Sequence, residues 1–333
     1  MSVSIYEIAR EAGVSSSTVA RALRGDTKNV RKDSIERVQR IRAIAERLGY
    51  EQSWRAKVFS SGRTHAIGLV HSHSDWIFEG VMGEVASAFT NSLRDLDYHL
   101  VLVPVDEQDH WQELLTGGRL DGIAILHHYP EEAREFLSSC DLPTVLLGDN
   151  TDNDAPHVIT DDYAGATLGT RHLIELGHRR IVFYAQDSVR RHYSVDDRVR
   201  GFQETMEQAG LDGSSYWRIS EQELATRLVS REDSPTAILC YCHVEAQILT
   251  QVMWKHHRRV PEDMSIIAFN DLPIAQYMSP PLATIGYDTK KVGQIGANLL
   301  ASQIDDVELE QRWIQIPPNL QLRSSTAPLQ ATN

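Results

Sequence analysis

Between Ser15 and Arg21 the chain reads SSSTVAR, which sets hydroxyls and a guanidinium along one short stretch. Such groups hydrogen-bond phosphate oxygens and base edges, and arginine can fork onto guanine in the major groove. The neighbouring residues say how they would be presented. Ser4 and Glu7 have the S-x-x-E spacing of a capping box, so a helix is expected to open at Ile5. Ile5, Ile8, Ala9 and Ala12 then make one apolar stripe at helical spacing. Gly13 supplies a turn and Ser15 is placed to cap a second helix. Val14, Val19, Ala22 and Leu23 can pack that helix back on the first. The pattern predicts a helix-turn-helix, with Ser16, Ser17 and Thr18 at the exposed start of the recognition helix. Apolar spacing alone would favour a plain small helical hairpin.

Other chemistry is thinner. The chain has no G-x-S-x-G, H-E-x-x-H or P-loop and no convincing G-x-G-x-x-G, so no catalytic constellation and no enzyme is expected. His71, His73, His127 and His128 fall near predicted strand ends. An H-x-H pair there could offer two imidazoles to a metal, but polar, solvated histidines are the plainer reading. Cys140, Cys240 and Cys242 are an odd set without framework spacing, as in a reducing compartment, and C-x-C fits no common structural zinc site. No metal or cofactor is expected. No apolar run approaches the roughly 18 residues of a membrane span, and the N-terminus lacks a signal-peptide pattern, so a cytoplasmic protein without membrane attachment is expected.

The net charge of −13 over 333 residues argues against nucleic acid until its distribution is considered. Residues 1–60 hold 12 Lys/Arg against 7 Asp/Glu, so a basic head sits on an acidic body. That asymmetry suits one end meeting phosphates. A third helix is expected from about Asp33 to Leu48, with Ile35, Val38, Ile41, Ala45 and Leu48 inward and Gly49 ending it. From His65 the period changes. AIGLV (66–70), HLVLVPV (99–105), GIAIL (122–126) and TVLLG (144–148) alternate with amphipathic stretches. RIVFYA (180–185), YWRIS (216–220), AILCYC (237–242) and SIIAFN (265–270) repeat the pattern. Two βαβ series in tandem predict an α/β body of two doubly wound lobes, with ligands beyond the carboxyl ends of the strands.

SIYEIAREAGVSSSTVARAL (4–23) resembles the DNA-binding head of the lactose-repressor (LacI/GalR) family, with Ala20 where that family usually has serine. ERLGY (46–50) is a further mark, and the stretch before it is about three residues longer than the family pattern, as a longer loop or an added helical turn. EQSWRAKVFSSGRT (51–64) resembles the family's hinge, without its proline (Gln52) and with an unusual Trp54. DDYAGATLGTRHLIELGHRRIVF (161–183), RVRGF (198–202), VPEDMSIIAFND (260–271) and PPLATI (280–285) resemble its effector domain. The resemblance implies an all-α helix-turn-helix head plus a two-lobed α/β effector domain of periplasmic-binding-protein type. The expected divisions are 1–50 for DNA binding, 51–64 for the hinge and 65–333 for ligand binding and dimerisation. By family pattern the N-lobe takes about 65–160 and 288–320 and the C-lobe about 161–287 and 321–330, with crossings near Thr160, Tyr287 and Leu320.

The resemblance also implies roles. Ser4, Ser15, Ser16, Ser17, Thr18, Arg21 and Lys57 would meet DNA, and Phe59 falls where the family places a leucine wedged into the minor groove; its alternative is packing the linker on the body. Arg198 matches the effector-contacting arginine, whose alternative is a surface helix position. Asn270 stands where an aspartate usually grips sugar hydroxyls, and Asp271 either compensates or caps the next turn. Cys242 and His243 replace the usual Asn/Ser–Asp pair, and Gly148–Asp149 replaces Asp–Arg. Ser72, Phe78, Asp149 and Tyr277 complete the expected effector set; Trp76, Phe78 and Tyr277 are stacking candidates whose alternative is ordinary core packing. The expectation is a repressor that binds a near-palindromic double-stranded operator as a homodimer, controlled by a small polar effector of sugar type. The alternative is a sugar-binding transport or receptor component with no DNA role.

Overall fold

The computed structural model describes residues 3–24, 32–50, 58, 62–71, 80–105, 111–127, 133–151, 154–189, 192–229 and 234–329. The chain divides into two units, Met1–His65 and Ala66–Asn333.

In the first unit, helices α1 (Ile5–Ala12), α2 (Ser16–Arg24) and α3 (Lys32–Arg47) surround one small core. The α1 start is stabilised as its sequence predicts: the Glu7 carboxylate accepts from the Ser4 backbone N–H at 2.7 Å and from Ser4 Oγ at 3.2 Å. Gly13 ends α1 at φ 67°, a left-handed value costly for any residue with a Cβ. Ile8, Val19 and Ile41 are fully buried at the crossing, each burial stabilising by about 1.5–3 kcal/mol. One expectation is corrected. Ile35 is 46% exposed, and Ile44 fills the inward face of α3 instead. The periodicity of α3 allowed either, and the narrow floor between α1 and α2 takes only one side of the helix.

The second unit runs β1 (Ala66–His71), α4 (Gly80–Asp95), β2 (His99–Pro104), α5 (Trp111–Leu115), β3 (Gly122–Leu126), α6 (Arg134–Ser138), β4 (Thr144–Leu147) and β5 (His157–Thr160). The chain then continues through α7 (Asp162–Glu175), β6 (Ile181–Ala185), α8 (Tyr193–Gln208), β7 (Tyr216–Arg218), α9 (Glu221–Val229), β8 (Ala237–Cys240), α10 (His243–Lys255), β9 (Ser265–Phe269) and β10 (Ala283–Tyr287). It closes with α11 (Thr289–Ile304), β11 (Trp313–Ile316) and β12 (Pro318–Gln321).

Two sheets result. One has the order β11-β5-β4-β3-β1-β2, the other β12-β10-β9-β8-β6-β7. Apart from β12, which runs antiparallel to β10, the pairings are parallel. β1, β3, β6, β8 and β9 are buried along their lengths, which is why they read as unbroken apolar runs. β2, at a sheet edge, mixes buried and exposed residues. In each sheet the strand order reverses beside the first strand, between β1 and β3 and between β6 and β8, and such reversals open a crevice at the strands' carboxyl ends.

Three connections join the lobes: after Thr160, after Tyr287 and at Pro317. The third was expected near Leu320, but Leu320 already pairs with Ile285 inside the C-lobe sheet. Strands β5, β10, β11 and β12 and helix α11 add to the elements expected from the sequence. Helices α7 and α8 cross closely at Gly201, where a Cβ would strike the Tyr163 backbone oxygen, so RVRGF needs its glycine for packing. Among the described residues no helix is long and apolar enough to cross a membrane.

Candidate functional site

A cavity of about 350 Å³ opens where the carboxyl ends of the two sheets face each other. His127 follows β3, Gly148 follows β4 and Thr160 ends β5 on one side. Tyr241 and Cys242 follow β8, Asn270 follows β9 and Tyr287 ends β10 on the other. Val81, Met82, Val85 and Val292 add an apolar wall from α4 and α11.

At its base lies Asp162, fully buried at the first turn of α7. Its Oδ1 accepts from Arg198 Nε at 2.7 Å and from the Tyr287 hydroxyl at 2.9 Å, and its Oδ2 from Thr160 Oγ1 at 2.7 Å. Arg198, itself 6% exposed, also donates from Nη1 to the Tyr241 carbonyl at 2.6 Å. Its guanidinium lies 4.1 Å from the Phe269 ring centre and 4.7 Å from that of Tyr241. Burial, the largest single influence, would lower the guanidinium pKa; the charge and hydrogen bond of Asp162 together with Tyr241 and Tyr287 outweigh it and hold Arg198 above its ordinary value. The helical spacing of α8 turns Arg198 inward, so it is no surface residue.

Several ionisable groups on the wall are held toward their uncharged forms by burial. Burial pushes His192 and His243 below the usual imidazole value and pushes the Cys242 thiol and the Tyr193, Tyr241 and Tyr287 phenols up. The acid and the guanidinium in the described lining are paired with each other, so their charges compensate. Cys242 Sγ accepts from the Val244 N–H at 3.4 Å, and Glu245 Oε2 accepts from the Cys242 N–H at 3.1 Å, so these two cap α10. His243 Nδ1 is buried with no hydrogen-bond partner among the described residues.

The expected effector residues separate into groups. Arg198, Cys242, His243 and Asn270 all line the cavity. Asp149 and Tyr277 do not, which corrects their placement. Asp149 is fully buried and accepts from the Thr151 N–H at 2.7 Å, so its carboxylate closes a local turn. Tyr277 is 76% exposed at the end of the short 3-10 turn Pro273–Tyr277. Ser72, Trp76 and Phe78 lie outside the described residues. Asp271, one residue from Asn270, is held by Arg323 Nη2 and Thr284 Oγ1, both at 2.7 Å, and not by the cavity. Thr160, Asp162 and Tyr287 line the wall and were not singled out by the sequence, while His192, Tyr193, Ser194 and Tyr241, which also line it, fall in the stretches 186–198 and 241–245 after predicted strands, where the cleft is expected. The one signal that pointed to some of them was position, since His192–Ser194 and Tyr241 follow β6 and β8. Of the candidate metal histidines, His71 is buried at the end of β1 and the His127 ring lies tilted against that of His192, with centroids 4.3 Å apart; His73 and His128 lie outside the described residues. Among the described residues no three His, Cys, Asp or Glu side chains gather as a metal would need.

The first unit presents a different surface. Ser4, Tyr6, Ser15, Ser17 and Arg21 are exposed, while Ser16 and Thr18 are half-buried. Ser15 Oγ accepts from the Thr18 N–H at 3.3 Å and lies 2.9 Å from both Ser17 Oγ and Thr18 Oγ1, so this hydroxyl caps α2. Hydrogen bonds from the Ser4 N–H and Oγ, with Arg10 nearby, hold Glu7 below the usual carboxylate value. Lys57, Phe59 and residues 25–31, which fall in the stretch expected to be about three residues longer, lie outside the described residues.

Known proteins resemble both parts. Residues 4–53 match the family described as bacterial regulatory proteins, lacI family, and residues 170–326 match the periplasmic binding protein-like domain. The chain is 28% identical to the HTH-type transcriptional repressor PurR of Vibrio vulnificus over 96% of its own length and 98% of that protein. A solved lac repressor dimer, bound to operator and the anti-inducer ONPF, superposes with a TM-score of 0.80 at 20% identity, covering 98% of this chain and all of that one (100%). A complex of the transcriptional regulator CelR with cellobiose gives a TM-score of 0.69 at 22% identity, covering 97% of this chain and 99% of that one.

Proposed function

Since the chain belongs to the lacI family of bacterial regulatory proteins, and is a DNA-binding transcriptional repressor with an effector domain rather than an enzyme, we propose that a neutral, hydroxyl-rich small molecule of sugar type binds between its lobes and changes its grip on a near-palindromic operator. The observation that carries the effector class is the pairing of Asp162 with Arg198, the one acid and the one guanidinium in the described lining. Among the described residues a free carboxylate or phosphate would find no uncompensated arginine or lysine there. A neutral polyol would find the remaining guanidinium hydrogens, the Asn270 amide, hydroxyls and imidazoles for its own hydroxyls, and aromatic and aliphatic faces for its C–H surface. The cellobiose held by the CelR relative agrees in chemical class.

On the DNA side, Ser16, Ser17 and Arg21 read bases in the major groove, while Ser4, Ser15 and Thr18 set the register on phosphates. Lys57 and Phe59 act from the hinge, Phe59 as the wedge that opens a minor-groove step. The protein works as a homodimer in the cytoplasm, two heads on two half-sites. Because effector and operator couple through one molecule, each alters the affinity for the other by the same factor.

The test uses the full chain and a selected operator. Arg21→Ala should cost about 1–3 kcal/mol at one base position and flatten the preference there. A panel of neutral mono- and disaccharides, read by thermal shift and then by operator affinity, should yield a binder that changes DNA binding. A sugar that binds and leaves operator affinity untouched would favour the transport or receptor reading. Exclusive binding of charged ligands would overturn the effector class.

A further inference from the structure

We propose that His192 is a strut that holds the two lobes closed over the cavity and sets how readily an effector moves them; the second half rests on the effector reading above. His192 sits in the C-lobe, directly before α8. Its Nε2 lies 3.0 Å from the carbonyl oxygens of both His127 and Gly148, which follow β3 and β4 of the N-lobe. Its Nδ1 lies 3.3 Å from the backbone N of Ser194 and 2.8 Å from Ser194 Oγ. A backbone N–H can only donate, so Nδ1 is the acceptor and the ring proton sits on Nε2, where it donates across the cleft. One neutral tautomer therefore does two jobs, capping α8 and joining the lobes.

The opposite lobe is shaped to receive it. His127 has φ 60°, a left-handed value that a residue with a Cβ adopts at a cost, and its carbonyl is one of the two that His192 meets. The His127 and Tyr193 rings flank the imidazole at 4.3 Å and 4.4 Å. Burial pushes His192 below its ordinary pKa, against the charges of Asp149 and Asp162 and with that of Arg198. A protonated ring would turn an N–H toward the Ser194 N–H and set a positive charge at a helix N-terminus, so it would lose the cap even though its Nε2–H could still reach the carbonyls.

The experiment separates the cap from the strut. Asparagine is a favoured N-cap residue and is too short to reach the far carbonyls, so His192→Asn keeps the start of α8 and removes the bridge. Hydrogen exchange is followed on the full chain, with neither DNA nor sugar added. The expected result is exchange about tenfold faster at the cavity ends of β3, β4 and β8, with α8 (Tyr193–Gln208) unchanged. Faster exchange within α8 would make His192 a cap only, and unchanged exchange at the strand ends would remove the strut; either overturns the proposal. Both readouts are independent of any sugar, so a failed sugar panel leaves this test standing and its failure leaves the panel standing.

Discussion

Replacing Arg198 with methionine should be the most damaging single change in the second unit. The side chain is 6% exposed and its Nε lies 2.7 Å from the carboxylate of Asp162, which is fully buried. Methionine fills much of the volume but leaves the carboxylate with only the Tyr287 and Thr160 hydroxyls. Breaking a buried pair from one side costs about 3–5 kcal/mol, because the remaining charge is neither solvated nor compensated. In a unit of this size that lowers the melting temperature by about 6–20 °C. Asp162→Asn alone strands the guanidinium, softened by the Phe269 and Tyr241 ring faces, and should cost somewhat less. The double variant removes both charges and should cost clearly less than the sum, leaving a coupling of about 2 kcal/mol or more. Calorimetry and urea unfolding of the full chain, following the larger unit's transition, give the four corners of the cycle. Strict additivity, with a coupling under about 0.5 kcal/mol, would refute the claim that the two charges need each other. It would also remove the argument that their charges compensate on this wall.

Two further outcomes are expected. Gly201→Ala should destabilise by about 1–3 kcal/mol through the clash with Tyr163 where α7 and α8 cross, read as a lower urea midpoint at unchanged slope; a neutral result would mean the helices separate freely. Lobe closure should also depend on pH through His192, which is faced by Asp149, Asp162, Arg198, His127 and Tyr193. Its closed-state pKa is lowered, so the open state takes up the proton more readily. Closure is fully supported above the ordinary value of about 6.5 and weakens as pH falls from there toward the depressed value. Hydrogen exchange corrected for its intrinsic pH dependence should show this in the wild type and not in His192→Asn, and an equal response in both would assign it to another group.

What the sequence determined by itself is whatever rests on neighbours along the chain. The capping box of Ser4 and Glu7, the turn at Gly13 and the apolar stripes of α1 and α2 are local, and each appears in the structure where its spacing put it. The fully buried strands announced themselves as apolar runs because both their faces are covered. The matching marks of the head and body were legible for the same reason. RVRGF named Gly201 before its packing role was visible.

Only the tertiary structure decided what depends on distant partners. β5, β11 and β12 are four-residue strands whose partners are in part far away in sequence, so their short and mixed patterns carried little signal. Leu320 was placed beside a lobe crossing, but its pairing with Ile285 puts it inside the C-lobe sheet. Asp149 and Tyr277 stand near the expected strand ends, yet one turns inward to its own loop and the other out to solvent. Periodicity specifies a face, not the direction a loop takes after its strand. Asp162 and Arg198, 36 residues apart in the chain, meet because α7 and α8 cross at Gly201. His192 finds its carbonyls 44 and 65 residues away because the strand reversals bring two sheets end to end. A sequence lists the charges and donors, but which of them cancel, and which are left to meet a ligand, is a matter of distance through space.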